Sequence, residues 1–123
     1  MDGDPGCFVL TAGALNQAKF ALSGLVVDTQ RMAANLAISR GLIVAEAVMM
    51  GLAPALGRQD AHDVVYDACR LANEKGLTLA DALSEDSRVI TRIDRAEIER
   101  LTSPENYLGL APQMVDRVLA GRR

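Results

Sequence analysis

The sequence predicts an all-α protein, and its composition already favours that class. Half of the 123 residues are apolar, yet aromatic residues make up only 3% and Trp is absent. Ala and Leu dominate the apolar set; both are strong helix formers, and small side chains suit narrow helix–helix interfaces. A β-sandwich would need more Tyr, Phe, Thr and Val in alternation. The third observation is helical periodicity, which recurs along the chain.

The N-terminal segment from Phe8 to Val27 predicts one long helix, because apolar residues recur on approximately one face. A glycine at Gly24 weakens that helix, so we expect a hinge between Gly24 and Asp28. Asp28 is a good N-cap and predicts a second helix that runs to about Ser39. The apolar residues of the first helix are Phe8, Leu15, Ala18, Leu22 and Leu25.

Two central segments predict the core of the domain. Gly41 to Ala53 is apolar almost all round, which is typical of a helix in the middle of a bundle, and Pro54 is expected to end or bend it. Arg58 to Lys75 is the clearest amphipathic helix, with Gly76 as its C-terminal cap. Its apolar stripe consists of Ala61, Val64, Val65, Ala68, Leu71 and Ala72.

The remaining helices are predicted from capping signals. Each signal pairs a side chain that accepts a backbone hydrogen bond with an acid or a proline in the first turn. They predict a short helix through Leu83 and another that carries Ile98 and Leu101. A turn closed by Gly109 follows, and Pro112 opens the last helix. The signals are Thr78 with Asp81, Asp94 with Glu97, and Ser103 with Pro104.

Charge excludes a nucleic-acid binder, and hydropathy excludes a membrane protein. The net charge is −3 with a pI of about 5.1, and basic residues cluster only at Arg122 and Arg123. Nucleic-acid binding needs a basic stripe. The longest apolar run, from Gly41 to Leu56, is interrupted by Glu46 and Pro54 and is too short and polar to cross a bilayer. We therefore expect neither nucleic acid nor a membrane as a partner.

The two cysteines, Cys7 and Cys69, have no metal-type spacing. They are interpreted as reduced thiols of a cytoplasmic protein, because structural disulfides persist in oxidising compartments.

Two polar residues are candidates for a special role. His62 is the only histidine and lies beside Asp63, but no serine nucleophile has a motif relation to it, so a structural or surface role is expected. Glu46 lies in an apolar helix, which allows two interpretations. It is either a buried acid with a raised pKa or, as we favour, the partner of Arg31 or Arg40.

Other patterns predict no site. Four methionines could form a flexible binding groove, but methionines at helical spacing are usually core. Gly57 and Arg58 do not make a phosphate loop, because no glycine-rich stretch with Lys-Ser or Lys-Thr surrounds them. We therefore predict no catalytic residue, no cofactor-binding residue and no metal ligand. The methionines are Met32, Met49, Met50 and Met114.

Three stretches carry a family resemblance that extends from about Pro5 to Leu119. They are "LTAGALNQAKFALSGLVVDTQRMAANL", "GLIVAEAVMMGLAPALGRQDAHDVVYDACRLA" and the tail "SPENYLGLAPQMVDRVL". The sequence resembles the fumarase/aspartase superfamily, most closely 3-carboxy-cis,cis-muconate cycloisomerase and next adenylosuccinate lyase. The most specific pieces are Arg31-Met32 with Asn35, Gly41 with Ala45-Glu46-Ala47, Gly57-Arg58 with Ala61-His62, and Tyr107-Leu108-Gly109.

The resemblance implies a long enzyme with three helical domains that forms a homotetramer, with active sites where three subunits meet. Its chemistry is a β-elimination or the reverse, with a serine from a loop of the type "SSxMPxKxNP" and a histidine from an earlier segment. That signature is absent here, and the family's catalytic histidines are not carried onto His62. Residues 1–27 would then be the end of the central domain's long helix, and residues 28–123 the C-terminal helical domain.

The resemblance therefore implies a C-terminal fragment that shapes the active-site cleft and supports subunit packing but is inactive alone. It would self-associate through the helix from Phe8 to Val27. Two alternatives are an adenylosuccinate lyase fragment and a stand-alone helical oligomerisation or protein-interaction module.

Overall fold

The computed structural model describes residues 5–121, which contain eight α-helices, two short 3-10 helices and no strand, so the all-α prediction is confirmed. Arg122 and Arg123 lie outside the described residues. Contacts divide the chain into two units, one up to Arg31 and one from Met32 onward. The α-helices are α1 Pro5–Ser23, α2 Thr29–Ala37, α3 Ala45–Leu56, α4 Arg58–Lys75, α5 Leu79–Ser84, α6 Ser87–Ile90, α7 Arg95–Thr102 and α8 Ala111–Ala120, and the 3-10 helices are Leu42–Val44 and Pro104–Tyr107.

Helix α1 begins earlier and ends earlier than predicted. It stops at Ser23 instead of Val27, and the Ser23 hydroxyl donates to the carbonyl of Phe20 in its last turn. The glycine that follows and two β-branched valines explain the early end, because all three have low helix propensity. Every residue of α1 is exposed.

The predicted cap of α2 is confirmed. The backbone N–H of Arg31 donates to Asp28 Oδ1 at 2.9 Å, which satisfies one of the free donors at the helix start.

The segment that starts at Gly41 differs from its prediction in two ways. It opens as a 3-10 turn before α3 begins, and α3 continues through Pro54 to Leu56. Only one face of α3 is buried, so the helix is not surrounded by others within the described residues. That face consists of Val48, Leu52 and Leu56, whereas Met50 is 55% exposed.

Helix α4 has the predicted bounds and lies at the centre of the core. It packs against α3 and α5, and its stripe is buried apart from the partly buried Leu71. Gly76 ends the helix with φ 71°, a left-handed conformation that glycine adopts without steric cost. Burial of this stripe against α3 and α5 removes apolar surface from water, which favours the folded domain.

The short helices confirm two of the three capping signals. The N–H of Asp81 donates to Thr78 Oγ1 at 3.1 Å, and the N–H of Glu97 donates to Asp94 Oδ1 at 2.7 Å. Ser103 was the third predicted cap, but its side chain makes no capping hydrogen bond before the Pro104–Tyr107 turn. Its hydroxyl therefore does not satisfy the free N–H groups of that turn.

Within the described residues, no single helix is long and apolar enough to cross a membrane. One pair of consecutive helical segments is long and apolar enough when taken together, but the two segments are bent by 75° at the break between them. They are Thr29–Ala37 and Leu42–Leu56.

Candidate functional site

A cavity of about 420 Å³ lies between α2, the start of α5 and the end of α7. We call it the α2 groove. Its apolar lining comes from five side chains and its polar lining from four, with the backbone of Gly41 between them. The apolar residues are Ala33, Leu36, Ala37, Ala80 and Pro104, and the polar residues are Arg40, Thr78, Thr102 and Glu105.

The turn at Arg40 and Gly41 connects α2 to the core and forms one end of the groove. Both residues have positive φ, 50° for Arg40 and 88° for Gly41. The carbonyl of Arg40 accepts a hydrogen bond from the N–H of Leu79 at 2.9 Å. A Cβ at residue 41 would lie 3.3 Å from Leu79 Cβ, so glycine provides both the conformation and the space. A non-glycine residue with positive φ, such as Arg40, carries backbone strain.

Two of the four polar side chains in the groove are already engaged. Thr78 Oγ1 caps α5 and also donates to Asp81 Oδ2 at 2.6 Å, and Thr102 Oγ1 donates to the carbonyl of Ile98 at 2.9 Å. Among the described residues, the side chains of Arg40 and Glu105 have neither a hydrogen bond nor an ion pair. The groove therefore offers one cation and one anion to a partner.

His62 lies on the surface and not in the groove. Its side chain is 59% exposed, Nδ1 is 3.1 Å from Asp63 Oδ1, and its ring stacks on Tyr66 with centroids 6.5 Å apart. Gln59 donates to the same carboxylate oxygen at 3.1 Å. This is an exposed side-chain cluster on one helix, and no nucleophile belongs to it.

The buried-acid interpretation of Glu46 was wrong, because Glu46 is exposed. Within its own unit of the described chain, Glu46 forms no ion pair with Arg40. It lies in the first turn of α3, where a carboxylate is stabilised by the positive end of the helix dipole. The carboxylate of Glu46 is therefore stabilised by solvent and by the N-terminal end of α3, and it does not need the arginine partner that its apolar neighbours in the sequence suggested.

The core prediction for the methionines was wrong for three of four. Met49 packs partly buried against the core, but Met32, Met50 and Met114 are 55–61% exposed. They lie on faces of α2, α3 and α8 that no described residue covers, which the helical spacing of the sequence could not reveal.

The perturbed pKa values of Asp81 and Arg95 arise in a cluster of surface ion pairs. The hydrogen bond from Thr78 and the pair with Arg95 lower the pKa of Asp81, and the pairs with Glu99 and Asp81 raise the pKa of Arg95. Arg95 contacts Asp81 at 2.9 Å and Glu99 at 2.7 Å. These bonds join α5 to α7 and explain the shifts as structural.

Metal-ligating and thiol groups are further candidate sites. In residues 5–121 no group of three or more His, Cys, Asp and Glu side chains could hold a metal ion. Burial raises the pKa of the partly buried Cys69, which disfavours its reactive thiolate. The fold is therefore that of a helical domain whose distinctive features are one groove and several uncovered apolar faces.

Comparison with known proteins agrees with this description. Residues 41–118 match the family described as the adenylosuccinate lyase C-terminus. The match covers more than half of the chain, and the chain belongs to this family, within the fumarate lyase superfamily. Resemblance to the fumarase/aspartase superfamily is thereby confirmed.

Three similar proteins define the relationship further. Trans-aconitate decarboxylase 1 of Mycosarcoma maydis is 51% identical over 110 residues, 89% of this chain and 22% of that protein. The 3-carboxy-cis,cis-muconate cycloisomerase of Pseudomonas aeruginosa is 45% identical over 116 residues, 94% of this chain and 25% of that protein. The crystal structure of fumarate lyase from Mesorhizobium sp. BNC1 superposes with a TM-score of 0.84 at 50% identity, covering 96% of this chain and 28% of that one. The chain thus spans about a quarter of the length of these relatives.

Proposed function

We propose that this chain is the C-terminal part of a 3-carboxy-cis,cis-muconate cycloisomerase-like enzyme and that it is inactive alone. In the parent it shapes the outer wall of the active-site cleft and supports subunit packing. The observation that carries this proposal is the family match over residues 41–118. Within residues 5–121, the single histidine, His62, contacts Asp63 and Tyr66 and no nucleophile. A domain of this kind contributes shape and contacts, and other segments contribute the reacting groups.

The substrate class follows from the relatives' names. Trans-aconitate and 3-carboxymuconate are both unsaturated acids with several carboxylates, and the family name points to adenylosuccinate, which carries a succinyl group. We propose a polycarboxylate substrate for the parent enzyme, with 3-carboxymuconate preferred. Adenylosuccinate and trans-aconitate are the alternatives within the family.

Turnover assays test the inactivity of the isolated chain. The purified chain is incubated with 3-carboxymuconate, trans-aconitate and adenylosuccinate, and each reaction is followed against a buffer blank. We expect no turnover, because loss of catalytic bases and nucleophiles costs several orders of magnitude in rate. Turnover of any of the three above the blank would refute the fragment proposal.

The proposed domain boundary assigns residues 1–27 to the long helix of a central domain. Support comes from α1, whose large apolar residues are exposed, including Phe8 at 73%, Leu15 at 65% and Leu22 at 69%. A long helix with so much uncovered apolar surface is typical of one that packs inside a larger bundle. We infer that the isolated chain covers this helix by pairing with a second copy, and that the parent is a homo-oligomer.

A stand-alone interaction module is the second candidate, and the same exposed apolar faces favour it. The coding sequence in frame upstream of Met1 distinguishes the two. A reading frame that encodes an "MPxKxNP"-type segment supports the enzyme, whereas a promoter and start site at Met1 support the module.

A further inference from the structure

Arg40 is the only residue other than glycine with a positive φ in the part of the chain that the structure describes. Its φ of 50° lies in the left-handed region, which disfavours a residue with a Cβ and suits glycine. Two backbone hydrogen bonds of 2.9 Å hold it there, one from its N–H to the carbonyl of Ala37 and one from the N–H of Leu79 to its carbonyl. Backbone strain of this kind is concentrated at functional sites. The Arg40 side chain is therefore a candidate for a binding role.

The guanidinium of Arg40 lies at one end of the α2 groove, against the end of α4. Its Nη1 is 3.3 Å from the position of a Cβ built on Gly76, the glycine that ends α4, so the missing side chain leaves room for the guanidinium. The C-terminal end of a helix favours a cation. The Arg40 side chain nevertheless has no hydrogen bond or ion pair with a described residue. By contrast, Arg88, Arg95 and Arg100 each donate to a carboxylate.

A positioned guanidinium without an acceptor is a binding group for a carboxylate. Its N–H donors form a planar fork that matches the two oxygens of a carboxylate. The groove beside it has a volume of about 420 Å³, and its apolar wall is formed by side chains of α2 together with Ala80 and Pro104. Ligand sites commonly combine an apolar wall with a few placed polar groups. This one suits an aliphatic body that ends in a carboxylate.

Glu105 restricts the ligand to a single carboxylate. Its side chain lines the same groove and has no partner among residues 5–121. Like charges that are brought together in a site oppose binding. A second carboxylate in the groove would therefore be repelled by Glu105, which disfavours the polycarboxylates proposed as substrates of the parent enzyme.

We propose that the α2 groove binds a small aliphatic monocarboxylate, with the carboxylate on the Arg40 guanidinium and the aliphatic body against the apolar wall. Every interaction comes from residues of this chain, so the proposal does not depend on the activity of the parent enzyme. Binding also accounts for the strained backbone, because a glycine at residue 40 would remove the strain and the binding group together.

Titration of the full chain with isocaproate, followed by NMR of the backbone amides, tests the proposal. We expect saturable shifts at Gly41, Leu79 and Ala80, with a dissociation constant on the order of 1 mM for a ligand of about eight non-hydrogen atoms. Chloride at equal concentration and the neutral isocaproamide should not produce these shifts. Arg40→Gln should raise the dissociation constant about tenfold or more, because the charge-assisted hydrogen bonds are lost. Arg58→Gln makes the same change at an exposed arginine outside the groove and should leave it unchanged.

A second variant of Arg40 separates binding from a structural role. Arg40→Gly relieves the positive φ, so the urea midpoint should stay at or above that of the wild type while the affinity for isocaproate falls about tenfold or more. A lowered midpoint with unchanged affinity would make Arg40 a structural residue and overturn the proposal.

The polycarboxylate trans-aconitate tests the role of Glu105. It should bind the wild type at least about tenfold more weakly than isocaproate, and Glu105→Gln should narrow this gap to about threefold. The proposal is overturned if the amide shifts do not saturate by about 50 mM isocaproate, if Arg40→Gln and Arg58→Gln weaken binding equally, or if trans-aconitate binds more tightly than isocaproate. None of these outcomes depends on the turnover assays.

Discussion

Gly51 of α3 lies so close to Leu101 of α7 that a Cβ built on the glycine would be 2.5 Å from Leu101 Cδ2. The two helices are in contact, and Leu101 is only 5% exposed. A glycine in the middle of a helix is unfavourable by itself. Its presence allows α7 to approach α3 closely enough for Leu101 to complete the core.

The first prediction is that Gly51→Ala destabilises the domain. Overpacking a filled core costs about 1–3 kcal/mol, whereas the gain in helix propensity is at most about 1 kcal/mol. We expect a net loss of about 1 kcal/mol, measured by urea denaturation. Gly13→Ala is the matched control, because nothing lies within 4 Å of a Cβ there, and it should increase helicity. Equal stabilisation by both substitutions would contradict the close contact.

The second prediction concerns Asp86, which caps the short helix α6. Its Oδ1 accepts from the N–H of Arg88 at 2.8 Å, and its carboxylate pairs with the Arg88 guanidinium. Asp86→Ala removes the cap and should cost about 1 kcal/mol. Asp86→Asn keeps the accepting oxygen and loses only the charge, so it should cost about half as much, since exposed ion pairs are weak. Chemical denaturation at pH 7 compares the two, and equal losses would argue against the cap.

The same residue gives a pH dependence. Hydrogen bonds from Arg88 lower the pKa of Asp86 in the folded protein. Because the folded pKa is below the unfolded value of about 3.9, this contribution to stability is complete above that pH. It is lost as the pH falls through the folded pKa. As the pH falls below about 4, the wild type should therefore lose stability more steeply than Asp86→Asn. If the free energy of unfolding falls equally steeply with decreasing pH for both proteins, Asp86 is not the source of this pH dependence.

Local signals predicted much of this fold, and long-range packing explains the failures. The stripe of α4, the left-handed Gly76 and the caps at Thr78 and Asp94 depend on neighbours within a few residues, so the sequence contains them. Helix α6 was not predicted because its four residues are too few to show a helical periodicity.

The candidate site could not be predicted in the same way. The α2 groove unites α2, α5 and the end of α7, which are separated by many residues in the sequence. Arg40 and Glu105 both line it, and the carbonyl of Arg40 in the left-handed turn accepts a hydrogen bond from the N–H of Leu79. Glu46 was assigned a partner because its neighbours are apolar, but the helix turns it to solvent.

The third prediction concerns Tyr107, the tyrosine of the tail motif. Tyr107 Oη donates to the carbonyl of Leu101 at 2.7 Å, and Asn106 Nδ2 donates to the carbonyl of Arg100 at 2.7 Å, so the turn after α7 satisfies the helix end. Tyr107→Phe should cost about 0.5–1.5 kcal/mol. Tyr66→Phe is the control, because Tyr66 is 65% exposed and its hydroxyl has no partner among the described residues. Identical denaturation midpoints for the wild type and Tyr107→Phe would exclude this anchoring role.

The last prediction concerns the proposed pairing of α1. Leu15 and Leu22 are 65% and 69% exposed, and covering such apolar area is worth about 25 cal/mol per Å². Changing both residues to Glu places charges in that contact, so sedimentation should show a lower state of association, while circular dichroism shows the domain from residue 28 onward still folded. Asn16→Glu/Gln17→Glu adds the same charge without removing an apolar side chain and should leave the association unchanged. A clean monomer of the unmodified chain at high micromolar concentration would contradict pairing, and it would leave α1 to cover its apolar surface within its own copy.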